Sequence, residues 1–392
     1  MVILHVLLAC VAAVTLIPVT VLFAEVLLAV TSRRGAAPDA IDRPALAVIM
    51  PARNEASIIA ETLRALIPQL RKSDRVIVIA DNCTDETAAL AAAEGAEVVV
   101  RHDAVRRGKG YAIDYAVRQL AANPPEVVVI LDADCRIEAA SLDLLAAVSK
   151  RTGRPVQALY LMQAAQNAGV LMRIAAFAWI VKTHVRPMGM HRLGLPCQLM
   201  GTGMAFPWAC ISTARLATAL TADDLKLGID LALTGTPPLF CPQASVRSSF
   251  PDSKEGLHGQ RIRWEHGHLD VALQDGPRLL ARALGTRNVA LLALGLDLCV
   301  PPLALLLLLV AAVWCGSALL RLVSGARLAL ALSTAAMLML IVSVLLARSR
   351  YGRRVIALRE LAWAGVYALW KLPLYVRFLR TRQSDWVGSK RD

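Results

Sequence analysis

Two carboxylates stand at the end of an apolar run, where they could share one metal ion. Asp132 and Asp134 follow the residues VVVIL, which are typical of a buried strand. Mg²⁺ and Mn²⁺ prefer oxygen ligands and commonly bridge protein carboxylates to substrate phosphates. An acidic turn at the end of a strand is the alternative interpretation. The spacing therefore predicts either a divalent-metal site or an ordinary polar turn.

Two further polar segments could act on a phosphate or a hydroxyl group. Residues 107–110 read Arg-Gly-Lys-Gly, where glycines permit close backbone approach and Lys109 can meet a phosphate. Asp223 and Asp224 precede a helical pattern, and a carboxylate there could take a proton from a hydroxyl group. A basic loop before a helix and simple helix capping remain the alternatives.

Residues 260–268, QRIRWEHGH, form the densest polar and aromatic stretch of the chain. A planar guanidinium suits a diphosphate, and an indole face suits a sugar ring. His266 and His268 could suggest a metal, but they lack a paired cysteine or the HExxH spacing. Packed or hydrogen-bonded histidines are therefore the expected interpretation.

The elements that carry these residues alternate between short apolar strands and helices. Strands are predicted in ALAVIMPA, RVIVIADNC, AEVVVR and EVVVILDADC, with helical patterns between them. This alternation favours an α/β fold with a mostly parallel sheet, in which ligands bind beyond the carboxyl ends of strands. Three strands end in polar clusters, at 51–55, 81–85 and 132–134, which we expect on one edge. The GxGxxG and GxxxxGK[ST] motifs are absent.

Uncharged runs at 6–24, 298–320 and 328–347 are long enough to cross a bilayer, which needs about 20 residues. Basic residues follow the first run and do not precede it, which predicts an uncleaved anchor and a cytoplasmic segment from residue 33. Asp297, beside the second run, is either a headgroup-level acid or a functional intramembrane acid.

The remaining apolar stretch, 355–378, contains charges and is rich in Trp and Tyr, which favours an interfacial helix over a fourth span. The chain has 392 residues, 56% of them hydrophobic, and a formal net charge of +13. Such hydrophobicity excludes disorder. Residues 348–392 hold eleven Lys and Arg against three acids, so most of the excess positive charge lies beside the predicted membrane helices. This position favours anionic lipid over nucleic acid as the partner of the basic residues.

The motifs in order resemble the membrane-embedded family-2 glycosyltransferases, which include cellulose, chitin, hyaluronan and poly-N-acetylglucosamine synthases and ceramide glucosyltransferase. The resemblance runs over residues 47–270 and the flanking apolar helices, and the ordered set of short motifs makes it specific. It rests on six segments: PARNE, DNCTDET, RRGKGYAID, LDADC, ADDLKLG and QRIRW. It implies a GT-A fold, an α/β domain that binds a nucleotide-sugar, embedded between transmembrane helices.

The resemblance assigns the donor and metal residues. It implies that Lys109 lies near the diphosphate, and that Asp132 and Asp134 form the DxD motif, with Asp134 the direct ligand of Mg²⁺ or Mn²⁺. It also implies nucleotide-base and ribose contacts for Pro51, Arg53, Glu55 and Asp81.

The resemblance also assigns the acceptor side. Asp224 matches the final acid of the TED-type motif, the general base, although the motif reads Ala-Asp-Asp here and Asp223 replaces a glutamate. Gly201, Thr202 and Gly203, followed by Met204, match an acceptor-lining loop. The QxxRW residues, which hold the diphosphate and the acceptor end, are Gln260, Arg263 and Trp264.

The function implied is that of an inverting membrane-bound hexosyltransferase. It would move a sugar from a nucleoside-diphosphate donor, expected to be a UDP-sugar, to a lipid-linked or polysaccharide acceptor, forming a β-linkage in exopolysaccharide or glycolipid synthesis. A processive synthase and a non-catalytic nucleotide-sugar-binding membrane protein are the alternatives. The expected location is the plasma (inner) membrane, multi-pass, with a cytoplasmic catalytic domain, lipid contacts and no nucleic acid; oligomerisation is left open.

Four domains are expected from these patterns. They are an N-terminal anchor at 1–32, a glycosyltransferase domain at 33–286, a transmembrane hairpin at 287–347, and an interfacial helix with a basic tail at 348–392.

Overall fold

The computed structural model describes residues 2–32, 43–165, 167–251, 253–325 and 327–380. The predicted linker before residue 43 and the tail after residue 380 therefore lie outside the described residues. The chain forms two compact units. Of the described residues, the helical unit comprises 2–32, 167–195 and 272–380, and the sheet unit comprises 43–165 and 196–271.

The sheet unit contains eight strands and the helices that connect them. The strands are β1 (Leu46–Ala52), β2 (Arg75–Asp81), β3 (Glu97–Arg101), β4 (Val127–Ile130), β5 (Arg136–Ile137), β6 (Val156–Gln163), β7 (Met204–Pro207) and β8 (Leu239–Ser249). The helices are α2 (Ile59–Leu66), α3 (Thr87–Ala93), α4 (Lys109–Leu120), α5 (Ser141–Thr152), α8 (Trp208–Ile211) and α9 (Asp223–Leu233), with a 3₁₀ turn at Ile67–Gln69.

The sheet has the order β3-β2-β1-β4-β7-β6-β8-β5. β1 pairs in parallel with β2 and β4, and β2 pairs in parallel with β3. Their carboxyl ends therefore meet at one edge, and the predicted α/β fold is confirmed. β7 is antiparallel to both β4 and β6, and β5 is antiparallel to β8, so the second half of the sheet is mixed.

The central strands are buried, and apolar residues fill both of their faces. Every residue of β4 is buried, and so are all residues of β1 except Pro51. Ile49, Ile79 and Ile130 pack with Ala116 and Leu120 of α4 in one core cluster. Continuous apolar strands of this kind are typical of parallel sheets covered on both faces. The core therefore fixes the edge at which the polar clusters stand.

The helical unit holds α1 (Val2–Thr31), α6 (Val170–Ile180), α7 (Arg186–Arg192), α11 (Val289–Leu298), α12 (Leu303–Ser324), α13 (Leu328–Ala347), α14 (Ala364–Trp370) and α15 (Leu372–Arg380). π-helical turns at Val181–Val185 and Arg348–Gly352 and a 3₁₀ turn at Leu358–Trp363 connect some of them. α10 (Lys254–Thr286) belongs to both units, because the boundary between the units falls inside it.

Three helices of the described residues are long and apolar enough to cross a membrane: Ile3–Thr31, Leu303–Val323 and Leu328–Gly352. They contain most of the three predicted runs. The second begins at Leu303 and not at 298, since Pro302 stands at its N-cap and a proline ring disfavours a continuous helix through this point. Residues 355–378 form short helical segments, so a fourth span is not among the candidates in the described chain.

The compact units differ from the expected domain ranges in two respects. Residues 167–195, expected within the glycosyltransferase domain, group with the helical unit, and the boundary near 286 moves to 271. The apolar character of α6 explains the first difference, because most of its residues are hydrophobic and five of them are buried.

Candidate active site

The acids that follow β4 stand where a metal ion could bind. Ligand atoms of Asp132, Asp134 and Cys135 all lie within 4.8 Å of one another. The hydroxyl group of Ser248 donates to Asp134 Oδ2 at 3.1 Å, and the backbone N–H of Asp132 donates to Thr202 Oγ1 at 3.0 Å. These bonds hold the turn in place at the edge of the sheet.

The donor set fits a hard divalent cation. Burial raises the pKa of the Cys135 thiol, and the charges of Asp134 and Asp132 raise it further. Since only a thiolate binds metals well, the thiol is a poor ligand here. The two carboxylates are then the available ligands, which agrees with the predicted choice of Mg²⁺ or Mn²⁺.

Lys109 joins this turn from the start of α4. Its Nζ donates to Asp132 Oδ1 and, at 2.7 Å, to the carbonyl oxygen of Gly201. Burial disfavours the charge on Lys109, but the neighbouring carboxylates of Asp132, Asp223 and Asp224 raise its pKa above the ordinary value. Lys109 is therefore a fixed cation beside the predicted metal ligands.

The acid pair of α9 lies in the same cavity as Lys109. This cavity of about 20 Å³ has room for roughly one water molecule. A Cβ atom on Gly201 would lie 3.4 Å from Asp224 Oδ2 and 3.8 Å from Lys109 Nζ, so Gly201 lies beside both charged groups. Residues that line the cavity include Lys109, Gly201, Arg215, Thr218, Asp223 and Asp224.

Asp223 supports Asp224 through the backbone. Its Oδ1 accepts a hydrogen bond from the Asp224 N–H at 2.9 Å. Burial raises the pKa of Asp223 to about 7, the Asp224 charge adds to the rise, and Lys109 opposes it. The Asp223 carboxyl group therefore titrates near neutral pH, in a pair coupled to Asp224.

Asp223→Asn is expected to stabilise the protein more at pH 8 than at pH 5. In the unfolded chain the Asp223 carboxyl ionises near its ordinary pKa of about 3.9. Because the folded state raises this pKa, stability falls as the pH rises through the window up to about 7. The loss is at most about 1.4 kcal/mol per pH unit, less for a partly exposed side chain. Thermal unfolding at both pH values measures it.

The control is Asp230→Asn on the same helix, whose carboxylate already pairs with Lys226 at 2.5 Å. Its effect should not grow between pH 5 and pH 8. An equal gain for both variants would contradict the assignment of the raised pKa to Asp223.

Hydrogen bonds from a buried side chain fix the segment 201–203. Gln157, which is fully buried, donates to the Thr202 carbonyl at 2.9 Å and accepts from the Met200 N–H at 2.8 Å. Gly201 and Gly203 both have positive φ, at 86° and 63°. A Cβ on Gly203 would lie 2.7 Å from Val246 Cγ2. The positive φ angles and this close contact therefore favour glycine at positions 201 and 203.

Gly203→Ala is expected to destabilise the fold by about 1–3 kcal/mol, through overpacking and a disfavoured φ. Gly95→Ala is the matched control, since Gly95 has a φ of 88° with nothing within 4 Å of its Cβ position. Chemical denaturation should show the smaller loss for Gly95→Ala. Equal losses would indicate that Gly203 is not closely packed.

The predicted nucleotide residues lie at the ends of β1 and β2. Asn54, with a φ of 55°, accepts from the Thr84 N–H at 2.8 Å, and the Glu55 N–H donates to Thr87 Oγ1 at 2.9 Å. These bonds join the two polar clusters. Pro51 stands near the end of β1, and Arg53 follows that strand.

Asp81, the predicted ribose contact, is largely buried. Arg101 donates to its Oδ1 at 2.6 Å, and Asn82 donates to the same oxygen at 3.0 Å. Burial raises the pKa of Asp81, while Arg101 and Arg53 lower it. Arg101 and Asn82 therefore fix the Asp81 carboxyl group at the end of β2.

The QxxRW residues lie on α10. Gln260 is buried, whereas Arg263 and Trp264 are partly exposed. A Cβ on Gly267 would lie 2.9 Å from Ala222 Cβ, so this helix packs closely against the residue that precedes the acid pair. Arg263 lies about one turn before that contact, on the same helix face. α10 is therefore positioned next to the start of α9.

The structure thus brings Lys109, Asp132, Gly201 and Asp224 together. It also adds residues that carry no signal in the sequence. Arg101 and Ser248 lie in strands at positions outside any motif, and Arg215 lies in an irregular segment. Their place at the site is therefore visible only from their neighbours in the structure. These residues are Arg101, Gln157, Arg215, Thr218 and Ser248.

The sequence and the fold of the chain are similar to those of known proteins. An uncharacterised glycosyltransferase of Mycobacterium bovis is 34% identical over 149 residues, which are 36% of this chain and 62% of that protein. The chain thus spans less than two thirds of this relative. Glucosyl-3-phosphoglycerate synthase of Mycobacterium tuberculosis is 37% identical over 95 residues, or 23% of this chain and 28% of that protein.

Among solved structures, a mannosyltransferase of Pyrobaculum calidifontis, in complex with GDP-Man and Mn²⁺, has a similar fold. Its TM-score is 0.56 at 19% identity, over 95% of this chain and 99% of that one. The family model described as "Glycosyltransferase like family 2" matches residues 44–267, which is more than half of the chain. The chain is therefore a member of this glycosyltransferase family.

Proposed function

We propose that the chain is an inverting, membrane-bound hexosyltransferase. It moves a sugar from a nucleoside-diphosphate donor, a UDP-sugar, to the hydroxyl group of a lipid-linked or glycan acceptor. The product is a β-linked sugar in a glycolipid or exopolysaccharide. The apolar helices α1, α12 and α13 hold the enzyme in the plasma membrane, with the sheet unit on the cytoplasmic side.

One observation carries this proposal: Lys109 contacts both Asp132 and the Gly201 carbonyl, and Gly201 lies against Asp224. A cation, a pair of potential metal ligands and a base are thus arranged around one backbone segment. Transfer from a sugar diphosphate needs these groups, since the leaving group gains negative charge while the acceptor loses a proton.

The residues of the chain have distinct roles in the reaction. Pro51, Arg53, Glu55 and Asp81 bind the base and ribose at the ends of β1 and β2. Lys109 stabilises the charge that grows on the leaving diphosphate. Asp224 accepts the proton of the acceptor hydroxyl group, and one direct displacement inverts the anomeric carbon.

The acceptor side is assigned to the segment 201–203 and to α10. Gly201, Thr202 and Gly203 are proposed to line the acceptor position, and the absence of a side chain on Gly201 leaves space beside Asp224. Gln260, Arg263 and Trp264 hold the diphosphate and the end of the acceptor, with a planar guanidinium and an indole face as the recognition groups.

Asp134 and Asp132 would hold Mg²⁺ or Mn²⁺, with Asp134 the direct ligand. When bound, the ion neutralises charge on the diphosphate. The similar mannosyltransferase was solved with Mn²⁺, which supports this choice.

The test uses the full chain in membranes, supplied with UDP-glucose, UDP-N-acetylglucosamine or GDP-mannose and Mn²⁺. Mass spectrometry of the lipid extract and of the polymer fraction then identifies the product. One added hexose on a lipid supports single transfer, whereas a ladder of masses supports processive synthesis. No product from any donor, although nucleotide binds, would favour a non-catalytic binding protein.

A further inference from the structure

Three charged side chains meet in the interior of the helical unit, and none of them belongs to the candidate active site. They are Glu25 of α1, Arg186 of α7 and Asp297 of α11, and each is at most 6% exposed. Arg186 Nε donates to Glu25 Oε2 at 2.9 Å, and its Nη2 donates to Asp297 Oδ1 at 2.5 Å. Arg186 thus joins all three helices.

The charges of this cluster do not balance if every group is ionised. One guanidinium then faces two carboxylates, which leaves a net charge of −1 in a buried site. The charged groups that act on Glu25 are Arg186 and Asp297, and those that act on Arg186 are Asp297 and Glu25. Cys299, a thiol, lies near Asp297. A buried, uncompensated charge costs several kcal/mol, so the cluster needs one more positive charge.

One oxygen atom of Glu25 is a candidate position for the additional positive charge. Glu25 Oε1 is buried and receives no hydrogen bond from a donor among the described residues. The Glu25 and Asp297 carboxyl groups also lie within hydrogen-bond reach of each other. Ionised carboxylates only accept hydrogen bonds, so such a contact requires a proton on one of them.

Close packing disfavours a hydrated metal ion in this position. A Cβ on Gly189 would lie 2.2 Å from the Glu25 carbonyl oxygen, so the backbones of α7 and α1 touch beside the cluster. The carbonyl oxygen of Asp297 is also taken, by Arg186 Nη2 at 2.5 Å. A proton needs no extra volume, whereas a monovalent cation needs several free oxygen ligands.

We propose that Glu25 and Asp297 form a proton-binding site that shares one proton at neutral pH, with Arg186 as the counter-charge. Arg⁺, one carboxylate and one carboxylic acid together are neutral. The neutral cluster permits α1, α7 and α11 to pack in an apolar interior without a counter-ion. Either acid can supply the ionised partner of Arg186.

The test is infrared spectroscopy of the full-length protein in lipid nanodiscs at pH 8. The wild type should show the C=O band of a protonated carboxyl group, with a shift in D₂O. Glu25→Gln and Asp297→Asn should each remove this band, because the remaining acid then ionises beside Arg186. Glu360→Gln is the control, since Glu360 pairs with Arg173 elsewhere in the helical unit, and it should keep the band.

Thermal unfolding adds a second readout. Each single variant keeps Arg186 paired, so its melting temperature should stay within about 2 °C of the wild type. The double variant Glu25→Gln/Asp297→Asn leaves a buried guanidinium without a counter-charge, and its melting temperature should fall by more than about 5 °C.

Two results would overturn the proposal. The wild type could lack the band and show a melting temperature that depends on Na⁺ or K⁺, which would indicate a bound metal cation and two ionised acids. Alternatively, the band could survive in both single variants, which would place the protonated carboxyl group elsewhere.

Discussion

Asp224→Asn is expected to lower kcat by about 10²–10⁴, the usual contribution of a general base, with little change in donor binding. Asparagine keeps the shape of the side chain but cannot accept the hydroxyl proton. The backbone bond from Asp224 to Asp223 remains, so the start of α9 is unchanged. Steady-state transfer rates and nucleotide affinity, measured on the same preparation, separate the two effects.

Asp230→Asn is the matched control for Asp224→Asn. It makes the same substitution on the same helix, at a carboxylate paired with Lys226. Asp230→Asn should retain a near wild-type kcat. Equal activity of the two variants would exclude Asp224 as the base.

Removal of divalent metal is expected to reduce sugar transfer by several orders of magnitude, with recovery on addition of Mn²⁺ or Mg²⁺. Asp134→Asn should have a comparable effect, because it removes one of the two carboxylates that could hold the ion. Lys109 remains beside Asp132 in this variant, so some diphosphate binding should persist. Titration of metal against transfer rate measures the change in metal affinity.

The surface variant Asp114→Asn serves as the control for Asp134→Asn, since Asp114 pairs with Arg118 on the exposed side of α4. Its metal dependence should match that of the wild type. Undiminished transfer by Asp134→Asn, or transfer that persists in excess chelator, would refute the role given to the acids after β4.

The sequence predicted the first half of the sheet well because its elements have local signals. β1, β2, β3 and β4 are short apolar runs separated by amphipathic helices, and each predicted strand overlaps an observed one. The carboxyl ends of parallel strands meet at one edge, so the polar clusters could be placed without a structure.

The second half of the sheet could not be predicted in the same way. β7 has four residues and β5 has two, and both pair antiparallel with strands distant in the chain. Such pairing depends on long-range packing, which leaves no local pattern. The grouping of residues 167–195 with the helical unit also depends on long-range packing, so the sequence did not predict it.

The candidate site divides along similar lines. Lys109, Asp132 and Asp224 belong to motifs, and the structure brings them around Gly201. The partner of Asp81 is Arg101, 20 residues further along the chain, and no local signal joins the two. The acid Asp297 was visible in the sequence, but its partners Glu25 and Arg186 come from two other helices.

Sugar transfer by this chain is tested by a simultaneous count of released nucleoside diphosphate and transferred sugar. The purified full chain in nanodiscs with native lipid extract would receive labelled UDP-sugar and Mn²⁺. We expect equal amounts of diphosphate and lipid-extractable label in the wild type, and neither product above background in Asp224→Asn. Tight nucleotide binding by the wild type, with no diphosphate released and no label transferred, would contradict it.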